Sequence, residues 1–89
     1  MKITDIRIRK LDNTGKMKAV VSVAFDDAIV IHDIKIIEGD ESNFIAMPSR
    51  RIPSGEFRDI AHPINAETRK QIEDAVLEKY EEMLKEEEN

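Results

Sequence analysis

The sequence predicts an α+β fold. It reads as an antiparallel β-meander of four to five strands followed by one C-terminal α-helix, dimerising through the sheet. Three observations carry that reading. Residues 2–11 and 17–25 alternate apolar and polar side chains with the two-residue period of a half-buried strand. Residues 28–37, AIVIHDIKII, are rich in the β-branched residues that strands favour. From Asn65 onward the apolar period changes to that of a helix.

The first strand, KITDIRIRKL, sets Ile6 and Ile8 against Arg7 and Arg9. Asp12–Lys16 follows, and its Asn and Gly suit left-handed turn positions, so a hairpin loop is expected there. The second strand places Met17, Ala19, Val21, Val23 and Phe25 on one face, with Lys18 and Ser22 on the other. Asp26-Asp27 is a short turn. In the third strand the alternation slips, because Ile29 and Ile31 share one parity while Ile34 and Ile36 share the other. A β-bulge near His32-Asp33 would restore a single apolar face; burial on both sides is the other explanation. Glu38–Ser42 is a polar turn and Asn43–Met47 a short fourth strand. Pro48, Pro53 and Gly55 punctuate a loop, and Phe57–Ile60 offers one further short strand.

Asn65 is a good N-cap, and Glu67 lies in the first turn, where negative charge suits the helix dipole. Ile72, Ala75, Val76, Tyr80, Met83 and Leu84 make one apolar stripe. Arg69 with Glu73, Lys70 with Asp74 and Glu81 with Lys85 are spaced as i,i+4 pairs. The expected organisation is a single domain over 1–89, with sheet over about 2–64, helix over about 66–85 and a frayed acidic tail at 86–89. One sheet and one helix leave a face or an edge uncovered, and a second copy is the simplest cover.

At 89 residues the chain suits one domain with a modest core. It contains no cysteine, which removes disulfides, thiolate metal sites and thiol nucleophiles from consideration. MKITDIRIRK lacks the apolar stretch of a signal peptide, and no apolar run reaches membrane-spanning length, so a soluble cytoplasmic protein is expected. The net charge is −5 and is unevenly placed. Residues 65–89 hold nine acids and four bases, while residues 1–64 hold ten of each. The first part can therefore carry basic clusters that the total conceals.

Catalysis finds no support. His32 is next to Asp33, but in a regular strand the two would point to opposite faces. Asp59 and His62 also differ in parity, and neither Ser49 nor Ser54 sits in a nucleophile elbow. The chain is therefore expected not to be an enzyme. The two histidines lack the spacing of metal ligands, so no metal or cofactor is expected. His62 precedes Pro63, is held extended, and can simply hydrogen-bond the loop backbone.

Anion binding is better supported. Arg50 and Arg51 are adjacent, so in extended chain they face opposite ways, and Arg58 follows beyond the turn. Arg69, Lys70 and Gln71 fall in the first turns of the helix, whose N-terminus presents free N–H groups. Guanidinium groups suit bidentate contact with phosphate or guanine. The competing reading is a surface ion-pair network with Glu56 and Asp59. With three Phe, one Tyr and no Trp, the sequence suggests a shortage of exposed aromatics for stacking bases.

The stretch MPSRRIPSGEFRDIAHPI at 47–64, with IHDIKIIEG at 31–39, MKITDIRIRK at the start and DNTGKMKA at 12–19, closely resembles the SpoVG family, the stage V sporulation protein G group. The resemblance covers nearly the whole chain. It implies a cytoplasmic, dimeric, site-specific DNA-binding regulator, with RNA as a further target of some members, acting in sporulation, asymmetric septation and cell division. It implies no enzymatic activity, no cofactor, no membrane and no small-molecule substrate. The family's basic pair falls on Arg50 and Arg51, and the variable helix start that tunes sequence preference falls on 66–71. Ile52 departs from the family, standing where a polar residue is common. The alternative from another class is a protein-interaction module of the septation machinery that binds no nucleic acid, which the net negative charge favours.

Overall fold

The computed structural model describes residues 1–11 and 15–88. The centre of the expected first hairpin loop, 12–14, and Asn89 lie outside the described residues. Strands β1 (Ile3–Lys10), β2 (Met17–Phe25), β3 (Ile29–Glu38) and β4 (Asn43–Ala46) form one antiparallel sheet in the order β1-β2-β3-β4. Strands β5 (Ser49–Arg51) and β6 (Phe57–Asp59) form a separate two-stranded hairpin, and helix α1 (Ala66–Glu88) closes the chain. The expected meander and C-terminal helix are both present.

Alternation decides which face of the sheet is covered. Ala19, Val21, Val23 and Phe25 from β2, Ile34 and Ile36 from β3, and Ile45 from β4 are buried. Ile72, Val76 and Tyr80 of α1 recur every four residues and are buried against them. Ile6 and Ile8 of β1, with Leu77, Met83 and Leu84 of the helix, fill the margin of this core. The parity slip in β3 is absorbed by a bulge. Val23 pairs with Ile31 and Val21 with Ile34, so His32 and Asp33 together oppose Ser22. Asp33 takes the left-handed conformation, with φ of 64°. A hydrogen bond of 2.8 Å joins the Ser22 hydroxyl to Nδ1 of His32 across the bulge. Ile31, Ile34 and Ile36 consequently share the covered face.

The β2–β3 turn is tight. Asp26 and Asp27 both have positive φ, 55° and 51°, and the Ala28 N–H donates to the Phe25 carbonyl at 2.9 Å. The Asp26 carboxylate accepts from the Lys2 N–H (2.9 Å), and the Asp27 N–H donates to the Thr4 hydroxyl (3.0 Å), tying the start of β1 to this turn. A left-handed residue with a side chain costs about 1–2 kcal/mol, and Asp less than most. Asp27→Gly, which keeps the turn and discards the strain, is expected to raise stability by up to about 1 kcal/mol. A urea midpoint that falls would contradict this. At the next turn the constraint is space: a Cβ on Gly39 would lie 2.5 Å from the Ser42 carbonyl oxygen.

Asn65 caps the helix as its side chain suggests, its Oδ1 accepting from the Thr68 N–H at 2.7 Å. Gln71 Nε2 donates to the Met1 carbonyl at 3.3 Å, and Lys10 Nζ meets Glu87 at 2.6 Å. The helix therefore runs alongside β1 in the same direction. The helix runs to Glu88, three residues beyond the expected end at about 85, and the Lys10–Glu87 ion pair ties that stretch to β1. One expectation is corrected. Residues 49–51, read as loop, form strand β5.

Candidate nucleic-acid interface

The chain leaves the main sheet through Met47 and Pro48, both buried, and then turns outward into the hairpin. Ile52 and Gly55 close that turn. The Gly55 N–H donates to the Ile52 carbonyl (2.9 Å), and the Ile52 N–H to the Glu56 carbonyl (2.8 Å). Pro53 has the fixed φ that the second position of such a turn needs. Gly55 has φ of 93°, a conformation only glycine takes at little cost. The Ile60 N–H then donates to the Pro48 carbonyl at 2.7 Å and pins the base of the hairpin.

Register sorts the three arginines. Arg50 pairs with Arg58, Arg51 with Phe57, and Ser49 with Asp59. Arg50 and Arg58 thus share one face of the hairpin, while Arg51 shares the other with Phe57. All four are exposed. Directly opposed residues on one face have Cβ atoms about 4.5–5.5 Å apart, and like charges so placed are destabilising. Ion pairs among the described residues include Arg7–Asp5, Lys10–Glu87, Lys18–Glu38 and Lys70–Asp74, and none of these involves the hairpin. The surface network with Glu56 and Asp59 is therefore not formed.

The helix-start candidates are differently disposed. Arg69 Nη2 donates to the Ile45 carbonyl at 3.3 Å in a half-buried contact that fastens the first helical turn to β4. This tertiary partner stands in place of the expected i,i+4 pairing with Glu73. Lys70 is bound to Asp74 at 2.8 Å, and that hydrogen bond, with the Asp74 charge, pushes its pKa up. Gln71 is engaged with Met1. Of the three only Arg69 reaches β4, while Gln71 reaches the start of the chain, and each has an intramolecular partner of a kind not found for Arg50, Arg51 or Arg58 among the described residues. The two histidines are also placed: His62 Nδ1–H donates to the Pro63 carbonyl at 3.0 Å, as the loop reading expects, and His32 lies at the bulge.

One residue escaped the sequence reading. Phe57 is 70% exposed and Phe44 43%, so the expected shortage of exposed aromatics is corrected. The signal was present in GEFRD: a lone apolar residue between Glu56 and Arg58, in a strand of three residues with no apolar neighbour to pack on.

The sequence profile of SpoVG matches residues 1–82, nearly the whole of the sheet, hairpin and helix. The chain belongs to the SpoVG family. Relatives carrying the name "Putative septation protein SpoVG" include one from Acetivibrio thermocellus, 69% identical over 81 residues, which covers 91% of this chain and 86% of the relative. Another, from Clostridium acetobutylicum, is 61% identical over 88 residues, covering 99% of this chain and 93% of the relative. A third, from Caldicellulosiruptor bescii, is 63% identical over 84 residues, with 94% and 96% covered. The SpoVG match extends through the Arg-bearing hairpin and the capped start of α1. Among the described residues no helix is long and apolar enough to cross a membrane.

Proposed function

We propose that this SpoVG-family chain is a non-catalytic, dimeric nucleic-acid-binding regulator of septation and sporulation. Membership in a family whose curated relatives are named for septation supports the process. A single observation supports the binding: Arg50 and Arg58 are held opposite one another with no acid among the described residues to neutralise them. A fold that spends stability on two opposed guanidinium groups gains from a partner with phosphates. Arg50, Arg51 and Arg58 contact the backbone and position the protein. Lys70 and Gln71 exchange weak exposed partners for the ligand, while Arg69 acts mainly by holding the helix start in place. In this reading the acidic remainder of α1 faces away from the nucleic acid.

Dimerisation through the sheet is part of the same reading. One face of the sheet is covered by α1, and its other face carries partly exposed apolar residues, among them Val30 and Phe44. A two-fold dimer would offer two hairpins to one duplex. Titration into fluorescently labelled duplex DNA and RNA at low and high salt tests the binding. Affinity that falls with salt is expected, because neutralised phosphates release counterions. Absence of salt-sensitive binding at either salt would favour the second reading, a protein-interaction module. What speaks for that module is the exposed apolar linker, with Ile60 at 66% and Ile64 at 90%.

A further inference from the structure

We propose that Phe57 is a stacking platform for an unpaired nucleobase, so that the β5–β6 hairpin takes single-stranded nucleic acid as well as duplex. The proposal rests on the nucleic-acid reading above and adds to it a ligand class and a residue.

Phe57 takes no part in the buried core. It is 70% exposed, it lies outside the buried core, and its cross-strand neighbour is Arg51 rather than an apolar side chain. Yet its place is well determined. It follows the Pro53–Gly55 turn directly, in a hairpin closed by hydrogen bonds at both ends. An aromatic ring on such a support loses little freedom when a flat ligand covers it.

The charges around the ring select among flat ligands. Arg51 lies directly across the strand pair on the ring's own face and has no acid partner among the described residues, while the sequence neighbours Glu56 and Arg58 alternate to the opposite face. An anionic ligand with aromatic faces fits this set better than an apolar segment of protein, which would leave the guanidinium group beside it uncompensated. Asp59 shares the Phe57 face two residues along, opposite Ser49. A phosphate chain is therefore favoured on the Arg51 side of the ring and disfavoured beside Asp59. In a duplex each base face is already covered by its neighbours, so a lone ring engages a base that is unpaired. The Arg50–Arg58 face needs no such exposure of bases and remains open to phosphates of either form.

The test uses the full chain with short fluorescein-labelled oligothymidylate and oligouridylate, and a labelled duplex for comparison. Phe57→Ala and Phe57→Leu are expected to weaken single-strand binding by about 5- to 150-fold, the range of one lost stacking contact. Duplex affinity and the melting temperature should stay unchanged. Phe57→Trp should retain single-strand affinity, and since the chain has no other Trp, its indole emission should be quenched as the oligonucleotide binds. A Phe57→Leu variant that binds single strands like the parent overturns the proposal. So does an equal loss on both forms, or indole emission that does not move at saturation. If the parent binds salt-sensitively and Phe57 proves indifferent, only the stacking role falls; if the parent binds neither form, the nucleic-acid reading falls with it.

Discussion

Replacing Arg50 and Arg58 together by alanine is expected to weaken nucleic-acid binding and to stabilise the free protein at the same time. The two guanidinium groups share a face across the β5–β6 pair, with no neutralising acid among the described residues. Removing them relieves a like-charge contact worth about 0.2–1 kcal/mol. For a domain of this size that is a rise of a few degrees in melting temperature, taking about 4–8 °C per kcal/mol. Binding should move the other way. Each phosphate contact contributes about 0.9 to the slope of log affinity against log salt on duplex DNA, so losing two should flatten it by about 1.8. The loss should be similar across sequences, because phosphate contacts carry no base information. Thermal melts and salt-series titrations read the two halves separately. A double variant that binds as the parent does, with the same salt slope, would remove the hairpin from the interface. A double variant that loses binding because it has unfolded would show a lower melting temperature, the opposite of the expected sign.

The second large effect concerns the core. Ile36 is fully buried, pairs with Ala19 on one side and Ile45 on the other, and lies in the cluster covered by α1. Ile36→Ala should cost about 2–5 kcal/mol, the lost transfer energy plus that of the cavity left behind. A chain of this length has a total of about 5–13 kcal/mol to lose. The variant should therefore melt well over 10 °C lower or fail to fold at moderate temperature. Ile64→Ala makes the same class of substitution at a side chain that is 90% exposed, and should stay within about 0.5 kcal/mol of the parent. Similar denaturation midpoints for the two variants would mean that the sheet–helix packing described for Ile36 is wrong.

Much of the architecture could be read from local pattern because local pattern produces it. The alternation of β2 places Ala19, Val21, Val23 and Phe25 on one face, and all four are buried. The slip between Ile31 and Ile34 required either a bulge or two-sided burial. Only the pairing with Ser22 decides between them, since a bulge is a relation between two strands. Asn65 announced its cap because an Asx side chain can satisfy the third helical N–H from its own position. Strand β5 was hidden for the converse reason. It has three residues, two of them Arg, between two prolines, and becomes a strand only because the turn folds Phe57–Asp59 back onto it. The candidate site divided along the same line. Adjacency of Arg50 and Arg51 correctly implied opposite faces. That Arg58 would oppose Arg50, or that Arg69 would spend its guanidinium on a carbonyl 24 residues away, depends on register and tertiary packing, which no window of sequence contains.

The helix that covers the sheet follows in sequence every strand that it covers. Ile34, Ile36 and Ile45 have no apolar cover until Ile72, Val76 and Tyr80 arrive, and the Lys10–Glu87 contact joins residues 77 positions apart. The meander can form step by step from neighbouring strands, but it then carries an open apolar face until the helix closes over it. A chain interrupted within α1 would present that face, with two open sheet edges, to any other unfinished copy nearby.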